Sequence, residues 1–303
     1  MPTLLAAVLG AALAAPTGPT LVVLGVAQDG GHPQAGCTRS CCEPAWSDPT
    51  RRHRVVSLGL VDPRTHRRWM FDLSPDFPEQ LRALDAVQPA GGPLLDGVFL
   101  THAHIGHYTG LMHLGREVLG TRGIPLWVMP RMREFLTNNG PWSQLVSLGN
   151  VALQDIPQDD PVLLGADLSV TALTVPHRAE YTETVGYVIR GPLRSALYLP
   201  DIDKWERWST PLEQILAEVD VAYLDATFYD GSELPGRRMD EVPHPFVVET
   251  LARLAAAPAA LREKVRLIHL NHTNPLLYPD SAASERVRAA GLRVAVEGEQ
   301  VAL

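Results

Sequence analysis

Three histidines lie within six residues of one another in the segment THAHIGH, residues 101–107. The segment follows the apolar run 97–100, which predicts a strand, and it opens a helix. Side chains two residues apart in an extended chain point to the same side, so His102 and His104 face one way. His107, on the first turn of the helix, can turn back toward them. Because neutral imidazole is a good zinc ligand, this corner predicts a metal site.

Strands and helices alternate around this corner. The strand-like segments are Leu21–Val26, Val55–Val61, Arg68–Asp72, Gly97–Thr101, Leu126–Met129, Val151–Ile156, Leu168–Val175, Thr184–Ile189, Ala196–Leu199, Val219–Leu224, Val265–Leu270 and Leu292–Val296. The helix-like segments are Phe77–Leu84, Thr109–Leu119, Pro130–Leu136, Pro211–Val219, Pro245–Ala256 and Ser281–Ala290. This pattern predicts an α/β layered sandwich, and residues 20–303, which contain no linker-like stretch, are expected to form one domain.

Composition narrows the class of protein. The 303 residues include 26 basic and 34 acidic side chains, for a net charge of −8, and 46% are hydrophobic. Such a chain can bury a large core, which argues against disorder. The acidic balance offers no general attraction for polyanions, so broad nucleic-acid binding is not expected.

The N-terminus has the pattern of a targeting segment. The apolar run 4–15 is too short to cross a bilayer, which needs about 20 residues. Ala12 and Ala14 supply the small-x-small pattern of signal-peptidase sites, although no Lys or Arg precedes the run. Residues 1–19 are therefore predicted to be a signal peptide with a short leader, and the protein to be exported to the bacterial periplasm. If the run is not a signal, a cytoplasmic location is expected. No other run predicts an integral membrane segment.

Cys37, Cys41 and Cys42 lie within six residues of one another. An odd number of cysteines does not form a disulfide framework. Two interpretations stay open: a loop disulfide, or a structural zinc site to which the nearby His32 contributes.

The histidine segment resembles the His-x-His-x-Asp-His signature of the metallo-β-lactamase superfamily, and the resemblance extends along nearly the whole chain. It implies an αβ/βα four-layer sandwich with a one- or two-metal site at the edges of two sheets. It also implies a first site from His102, His104 and His177, and a second from His107 and His272, with Asp201 bridging the two. One or two zinc ions are expected, with iron or manganese as alternatives.

One position departs from that signature, because Gly106 stands where the family has Asp. That Asp ligates the second metal in the family, so its loss is expected to weaken the second site. Asp203 is a candidate substitute, although an exposed loop carboxylate is the more common role for such a residue.

Several other residues carry weaker expectations. Asp72 ends a strand-like segment and is expected to hydrogen-bond a ligand imidazole. His269 lies in an apolar segment and is expected to be a core histidine or to support a ligand. Four aromatic residues are candidates for a cleft or for the core: Trp142, Trp205, Trp208 and Tyr181.

Two subfamilies are recognisable. The segments 26–34 (VAQDGGHPQ), 73–76 (LSPD) and 271–275 (NHTNP), with the cysteine cluster, resemble the PqqB family of pyrroloquinoline-quinone biosynthesis. PqqB proteins typically alter the first two motif histidines and keep the Asp, whereas this sequence does the opposite. The resemblance therefore implies a PqqB-like relative without implying quinone synthesis itself.

The segment DATF, residues 225–228, resembles the Glu-Ala-Thr-Phe segment of ribonuclease Z and related phosphodiesterases. His244 falls where that family has a catalytic histidine before a helix. The resemblance implies that His244 is a general acid or oxyanion donor oriented by Asp225. The other interpretation places His244 beside a helix start, packed against Pro245. The tRNA substrate is not carried over, because no tRNA-binding insertion is recognisable.

Together these features predict a metal-dependent hydrolase in which a metal-bound hydroxide attacks a phosphodiester or ester-type bond of a small-molecule substrate. Two alternatives stay open. One is a PqqB-like oxidation with iron at the first site, and the other is a non-catalytic relative that binds metal or ligand.

Overall fold

The first strand shows how the sheets are packed. Leu21 and Val23 belong to one buried cluster, whereas Val22 and Leu24 belong to another on the opposite face. A strand that is apolar on both faces must lie between two layers. The computed structural model describes residues 16–157, 160–234, 236, 238 and 241–303. The predicted signal segment lies mostly outside these residues and stays a prediction.

Two seven-stranded sheets form the centre of the fold. The first has the order β14-β1-β2-β3-β4-β5-β6, with β1 Thr20–Gly25, β2 Ser57–Asp62, β3 Arg67–Phe71, β4 Gly97–Phe99, β5 Ile124–Val128, β6 Val151–Asp155 and β14 Gln300–Ala302. The second has the order β13-β12-β11-β10-β9-β8-β7, with β7 Val162–Leu163, β8 Ser169–Thr174, β9 Val185–Arg190, β10 Ser195–Leu199, β11 Val221–Asp225, β12 Val265–Ile268 and β13 Arg293–Val294. Each sheet mixes antiparallel and parallel pairs.

Helices cover the outer face of each sheet. The α-helices of the described residues are α1 Glu43–Ser47, α2 Phe77–Val87, α3 Ile105–Tyr108, α4 Pro130–Asn138, α5 Trp142–Ser147, α6 Leu212–Glu218, α7 Val247–Leu254, α8 Ala259–Arg262 and α9 Ala282–Ala289. Side chains of α2, α4 and α5 pack on the first sheet, and those of α6, α7 and α9 pack on the second. The apolar cluster that contains Leu21 and Val23 lies between the two sheets. The four layers confirm the predicted αβ/βα sandwich.

All the predicted strands are present, and two short ones were missed. β7 and β14 have two and three residues, too few to show a period. The helix predicted over Thr109–Leu119 is a 3-10 helix that ends at Leu114, because Gly115 adopts an extended conformation. Among the described residues, no helix is long and apolar enough to cross a bilayer.

Strand direction brings the predicted site residues to one rim of the sandwich. β3 and β4 run parallel in the first sheet, as do β10, β11 and β12 in the second. Parallel strands end at the same edge, so the residues that follow them lie close together. The loop after β1 joins this rim, because Gln28 N donates to Leu270 O and Leu270 N donates to Val26 O, both at 2.8 Å.

The layer between the sheets makes a stability prediction. Leu60 is fully buried there, whereas Leu193 is 79% exposed. Leu60→Ala should lower the free energy of unfolding by about 2–5 kcal/mol, because it removes buried methyl groups and leaves a cavity. Leu193→Ala is the matched control and should change it by less than about 0.5 kcal/mol. Chemical denaturation measures both, and equal losses would contradict this account of the core.

Candidate metal centre

Four predicted ligands meet at the rim. Donor atoms of His102, His104, His177 and Asp201 all lie within 4.8 Å of one another. Asp201 Oδ2 is 3.3 Å from His102 Nε2, and Asp201 Oδ1 is 3.3 Å from His177 Nε2. Two donors each about 2.1 Å from a tetrahedral zinc lie about 3.4 Å apart. The spacing therefore suits an ion between these groups.

A second group lies beside the first. Asp29 Oδ1 is 3.4 Å from His107 Nε2 and 3.9 Å from His269 Nε2. Asp201 Oδ2 is 3.3 Å from His107 Nε2 and 3.6 Å from His269 Nε2. The carboxylate of Asp201 thus faces both groups, in the position that the sequence predicted for a bridging ligand.

Among the described residues, five of the donor atoms lack other partners, whereas His104 Nδ1 lies 2.9 Å from His102 Nε2 and His104 Nε2 lies 3.2 Å from Glu180 Oε2. Asp29 Oδ1, His107 Nε2, His177 Nε2, Asp201 Oδ1 and His269 Nε2 are buried and have no hydrogen-bond partner among the described residues. An unsatisfied buried polar group costs roughly 1–3 kcal/mol. Atoms of this kind that converge on one small volume are the expected environment of a cation, so the residues present fit a metal centre.

Two carboxylates and two threonines orient the imidazoles from behind. Asp72 Oδ2 accepts from His107 Nδ1 at 2.8 Å, as predicted for this residue. Thr101 Oγ1 donates to Asp72 and lies 3.0 Å from His102 Nδ1. With Nδ1 occupied in both rings, Nε2 is the atom left to face the centre.

The same arrangement recurs across the rim. Asp225 Oδ2 accepts from His244 Nδ1 at 2.8 Å, and Asp225 Oδ1 accepts from Thr227 Oγ1 at 2.7 Å. Thr227 Oγ1 is in turn 2.8 Å from His269 Nδ1. Asp72 and Asp225 therefore each hold one imidazole directly and a second through a threonine.

His244 lies where the sequence placed it, oriented by Asp225. Its Nδ1 is also 3.2 Å from Asp201 Oδ1. Burial alone would lower the pKa of His244, but the carboxylates of Asp225 and Asp201 outweigh it and raise the pKa to about 9. The ring is held by these contacts rather than by packing on Pro245 alone, and it lines a cavity of about 400 Å³.

Burial and neighbouring charge also set the acidity of the other groups. Burial would raise the pKa of Asp29, but His107 and His269 hold it well below its usual value. The pKa of Asp201 is likewise lowered, because nearby imidazoles outweigh its complete burial. Carboxylates of this kind stay ionised and are ready to bind a cation.

One predicted ligand requires correction. The prediction placed His272 in the second group, but His269 occupies that position and His272 lies with the cysteines. His269 directly follows β12, and its positive φ of 65° turns the backbone there. The predicted strand ran to Leu270, whereas β12 ends at Ile268, so the sequence pattern hid His269 as a residue that follows a strand.

Two carboxylates also differ from expectation. Asp29 was not singled out from the sequence, because it has no ligand-like spacing to the histidines. Asp203 is buried rather than exposed, and its Oδ2 accepts from Arg207 Nη1 at 2.9 Å. Asp203 belongs to neither group of donors, so it does not replace the motif carboxylate.

Two cavities lie beside the metal centre. The one that His244 lines also includes Gln28 and Arg178. The other, of about 490 Å³, is lined by Asp29, His104 and Arg178. Of the four candidate aromatic residues, two line this second cavity and two are buried in the core: Trp142 and Tyr181 line it, and Trp205 and Trp208 are buried.

The cysteine cluster is a separate donor set. Donor atoms of Cys37, Cys41, Cys42 and His272 lie within 4.8 Å of one another. Cys37 Sγ and Cys41 Sγ are 3.7 Å apart, and all three cysteines are free. Two sulfurs about 2.3 Å from a tetrahedral zinc lie about 3.8 Å apart, so the spacing suits zinc better than a disulfide.

His32 is not the fourth member of that set, contrary to expectation. Its ring nitrogens lie 3.1 Å from Arg51 O and 2.8 Å from Cys41 O. His272 takes its place, with Nδ1 held 3.1 Å from Asn271 Oδ1.

Known proteins resemble this chain over most of its length. It is 29% identical to coenzyme PQQ synthesis protein B of Methylorubrum populi, over 92% of this chain and 98% of that protein. The corresponding protein of Xanthomonas axonopodis pv. citri is 28% identical, over 93% of this chain and 99% of that protein.

Solved structures share the fold. Zinc-bound PqqB from Methylobacterium extorquens superposes with a TM-score of 0.78 at 24% identity, covering 94% of this chain and 100% of that one. A diphosphatase of the PhnP family gives a TM-score of 0.66 at 23% identity, covering 93% and 96% of the two chains. Residues 67–270 match the beta-lactamase superfamily domain. With this match, the fold and the histidine motif, the chain belongs to the metallo-β-lactamase superfamily.

Proposed function

We propose that this protein is a zinc-dependent hydrolase that cleaves a phosphodiester or ester-type bond in a small molecule. The observation that carries the proposal is that a set of metal donors and a candidate proton donor lie side by side at one rim of the sandwich. A set of unpartnered donors converges on Asp201, and a histidine held by its own carboxylate lies 3.2 Å from that residue.

The first site would consist of His102, His104 and His177, with Asp201. A bound zinc ion supplies Lewis acidity and lowers the pKa of a coordinated water toward neutrality. The chain's part is to hold the donors: Thr101 fixes the His102 ring, and Asp201 places a buried negative charge beside it.

His244 is proposed to donate a proton to the leaving oxygen. Asp225 accepts from Nδ1, which fixes the tautomer and leaves Nε2 without a hydrogen bond among the described contacts. Thr227 braces the same carboxylate from the other side. A fixed imidazole at a cavity wall needs little reorganisation during the reaction.

Arg178 is proposed to bind the anionic part of the substrate. It follows His177 in the chain, lines both cavities and has 51% of its side chain exposed. A guanidinium can hold phosphate oxygens in a bidentate manner. Its position between the cavities favours a charged diester over a neutral ester.

A second candidate function is a metal-dependent oxidation of the PqqB kind. The likeness to coenzyme PQQ synthesis protein B over 92% of the chain favours it. The same donors would then hold iron, since imidazole ligands suit iron as well as zinc. The metal found in the protein therefore separates the two proposals.

We also propose that Cys37, Cys41, Cys42 and His272 hold a structural zinc ion. The sulfur spacing supports it, and the orientation of His272 by Asn271 is typical of a ligating imidazole. Three thiolates and one imidazole are a common closed zinc site.

Metal content tests the first site. His102→Ala/His104→Ala should lower the metal bound per chain by at least one equivalent, because it removes two donors of one ion. Mass spectrometry of the purified protein measures this loss. His113→Ala, which removes a histidine stacked on Phe77 outside both donor groups, is the control and should leave the count unchanged. Zinc favours hydrolysis and iron favours oxidation, and no loss in the double variant would contradict the assignment.

The role of His244 is tested by varying the leaving group. His244→Ala should lower kcat about 10²–10⁴-fold on a phosphodiester with an alkyl leaving group, which needs a general acid. The loss should be much smaller with p-nitrophenolate, which leaves without a proton. Steady-state kinetics on both substrates, with metal content checked, measures the difference. Equal losses on the two substrates would show that His244 is not the acid.

The cysteine site predicts a loss of zinc and of stability together. Cys41→Ser and His272→Ala should each remove one zinc equivalent and lower Tm, since a structural zinc contributes directly to folding. Tyr278→Phe is the control, because it removes only the hydrogen bond from Tyr278 Oη to Cys41 O and should retain the zinc. A full zinc count in Cys41→Ser would contradict this site.

A further inference from the structure

Gly106 is surrounded in an unusual way. A Cβ at this position would lie 2.1 Å from Asp29 Oδ1 and 2.6 Å from Asp29 Cα. Real Cβ atoms do not make such contacts, so position 106 excludes any side chain while Asp29 is where it is. Gly106 lies in α3, and its φ is not in the left-handed region, so backbone conformation alone does not demand glycine. The space of the missing motif carboxylate is filled by another carboxylate.

The oxygen of Asp29 that fills this space has no other role. Asp29 Oδ2 accepts from Gln28 Nε2 at 2.9 Å, which fixes the carboxylate. Asp29 Oδ1 is buried, unpartnered and aimed toward His107 and His269. Its distances of 3.4 and 3.9 Å to their Nε2 atoms are long for direct hydrogen bonds, but suit donors that share an ion.

The loop that carries Asp29 is held by both sheets. Ala27 forms β-bridges with Val55, which precedes β2 of the first sheet, and with Leu270, which follows β12 of the second sheet. Gly31 N donates to Gln28 O at 2.8 Å, and Gly31 closes this turn with a φ of 66°. The carboxylate of Asp29 therefore lies on a turn whose backbone is held by hydrogen bonds.

We infer that Asp29 is the carboxylate ligand of a second divalent metal ion. The ion would be held by Asp29 Oδ1, His107 Nε2 and His269 Nε2. Asp201 would be a ligand common to this site and the first site. The motif carboxylate has moved from α3 to the loop after β1, so the loss expected from Gly106 does not remove the second site. A set of two imidazoles and two carboxylates suits zinc, iron or manganese.

The inference rests on the metal-binding part of the proposed function, and metal counts separate the two. The wild-type protein should hold three equivalents: two at the rim and one at the cysteines. Asp29→Ala should hold two, with a melting curve showing that it folds. Asp29→Asn, which keeps the shape of the side chain, should bind the second ion at least about tenfold more weakly in competition with a chelator. Asp203→Asn is the matched control, a nearby buried acid outside both groups, and should keep three equivalents.

A carboxylate transplant gives the decisive comparison. Asp29→Gly/Gly106→Asp returns the carboxylate to α3 and leaves a loop of three consecutive glycines that can yield to the new Cβ. This variant should recover the third equivalent that Asp29→Ala lacks. Gly106→Asp alone should fold poorly, because its side chain meets Asp29.

The inference is overturned if Asp29→Ala keeps the full wild-type count, if Cys41→Ser holds fewer than two equivalents, or if the transplant fails to restore, in a folded protein, the ion that Asp29→Ala lacks. The first-site assignment fails by a different result, namely a full count in His102→Ala/His104→Ala. Metal counts of the Asp29 variants therefore test the second site without any assay of enzyme activity.

Discussion

The buried carboxylate of Asp201 is the interaction around which the rest of the rim is arranged. Nitrogens of His102, His107, His177, His244 and His269 lie 3.2–3.6 Å from its oxygens. A fully buried carboxylate is strongly destabilising unless cations or hydrogen bonds surround it. The five imidazoles and the ions that they can hold supply that compensation. The fold must therefore deliver histidines from both sheets to one point.

The support behind these imidazoles is duplicated. Asp72 belongs to the first sheet's rim and Asp225 to the second's, and each holds one ring directly and another through a threonine. Asp72 has a φ of 61°, which is uncommon for a residue other than glycine, so the site stores backbone strain that its hydrogen bonds offset. Such rigidity keeps donor atoms apart at distances set by the protein, and a metal ion then binds with little rearrangement.

The two sheets divide the chemistry between them. The first contributes the histidine motif, and the second contributes Asp201, Asp225 and His269. His244, which precedes α7 in the chain, adds an imidazole to the wall of the cavity. Members of one fold share the metal platform while the loops around it choose the substrate. Here the loop residues Arg178 and Tyr181, with Trp142 at the start of α5, line the second cavity and would select the substrate.

The sequence alone was sufficient for the longer strands and for the ligands that lie close together in the chain. Strands read from β-branched residues are present, and His102 and His104 converge because their spacing already brings them together on an extended chain. His177, Asp201 and Asp225 could be found because each stands at or just after a strand end.

Tertiary structure decided what depends on chain segments that are far apart in sequence. His269 rather than His272 reaches the rim because the backbone turns at its positive φ. Asp29 reaches His107 only because the loop after β1 pairs with Leu270. His272 likewise lies beside cysteines that precede it by more than 200 residues in the chain. Local patterns encode strands and short motifs, but the pairing between sheets chooses which polar side chains share a buried volume.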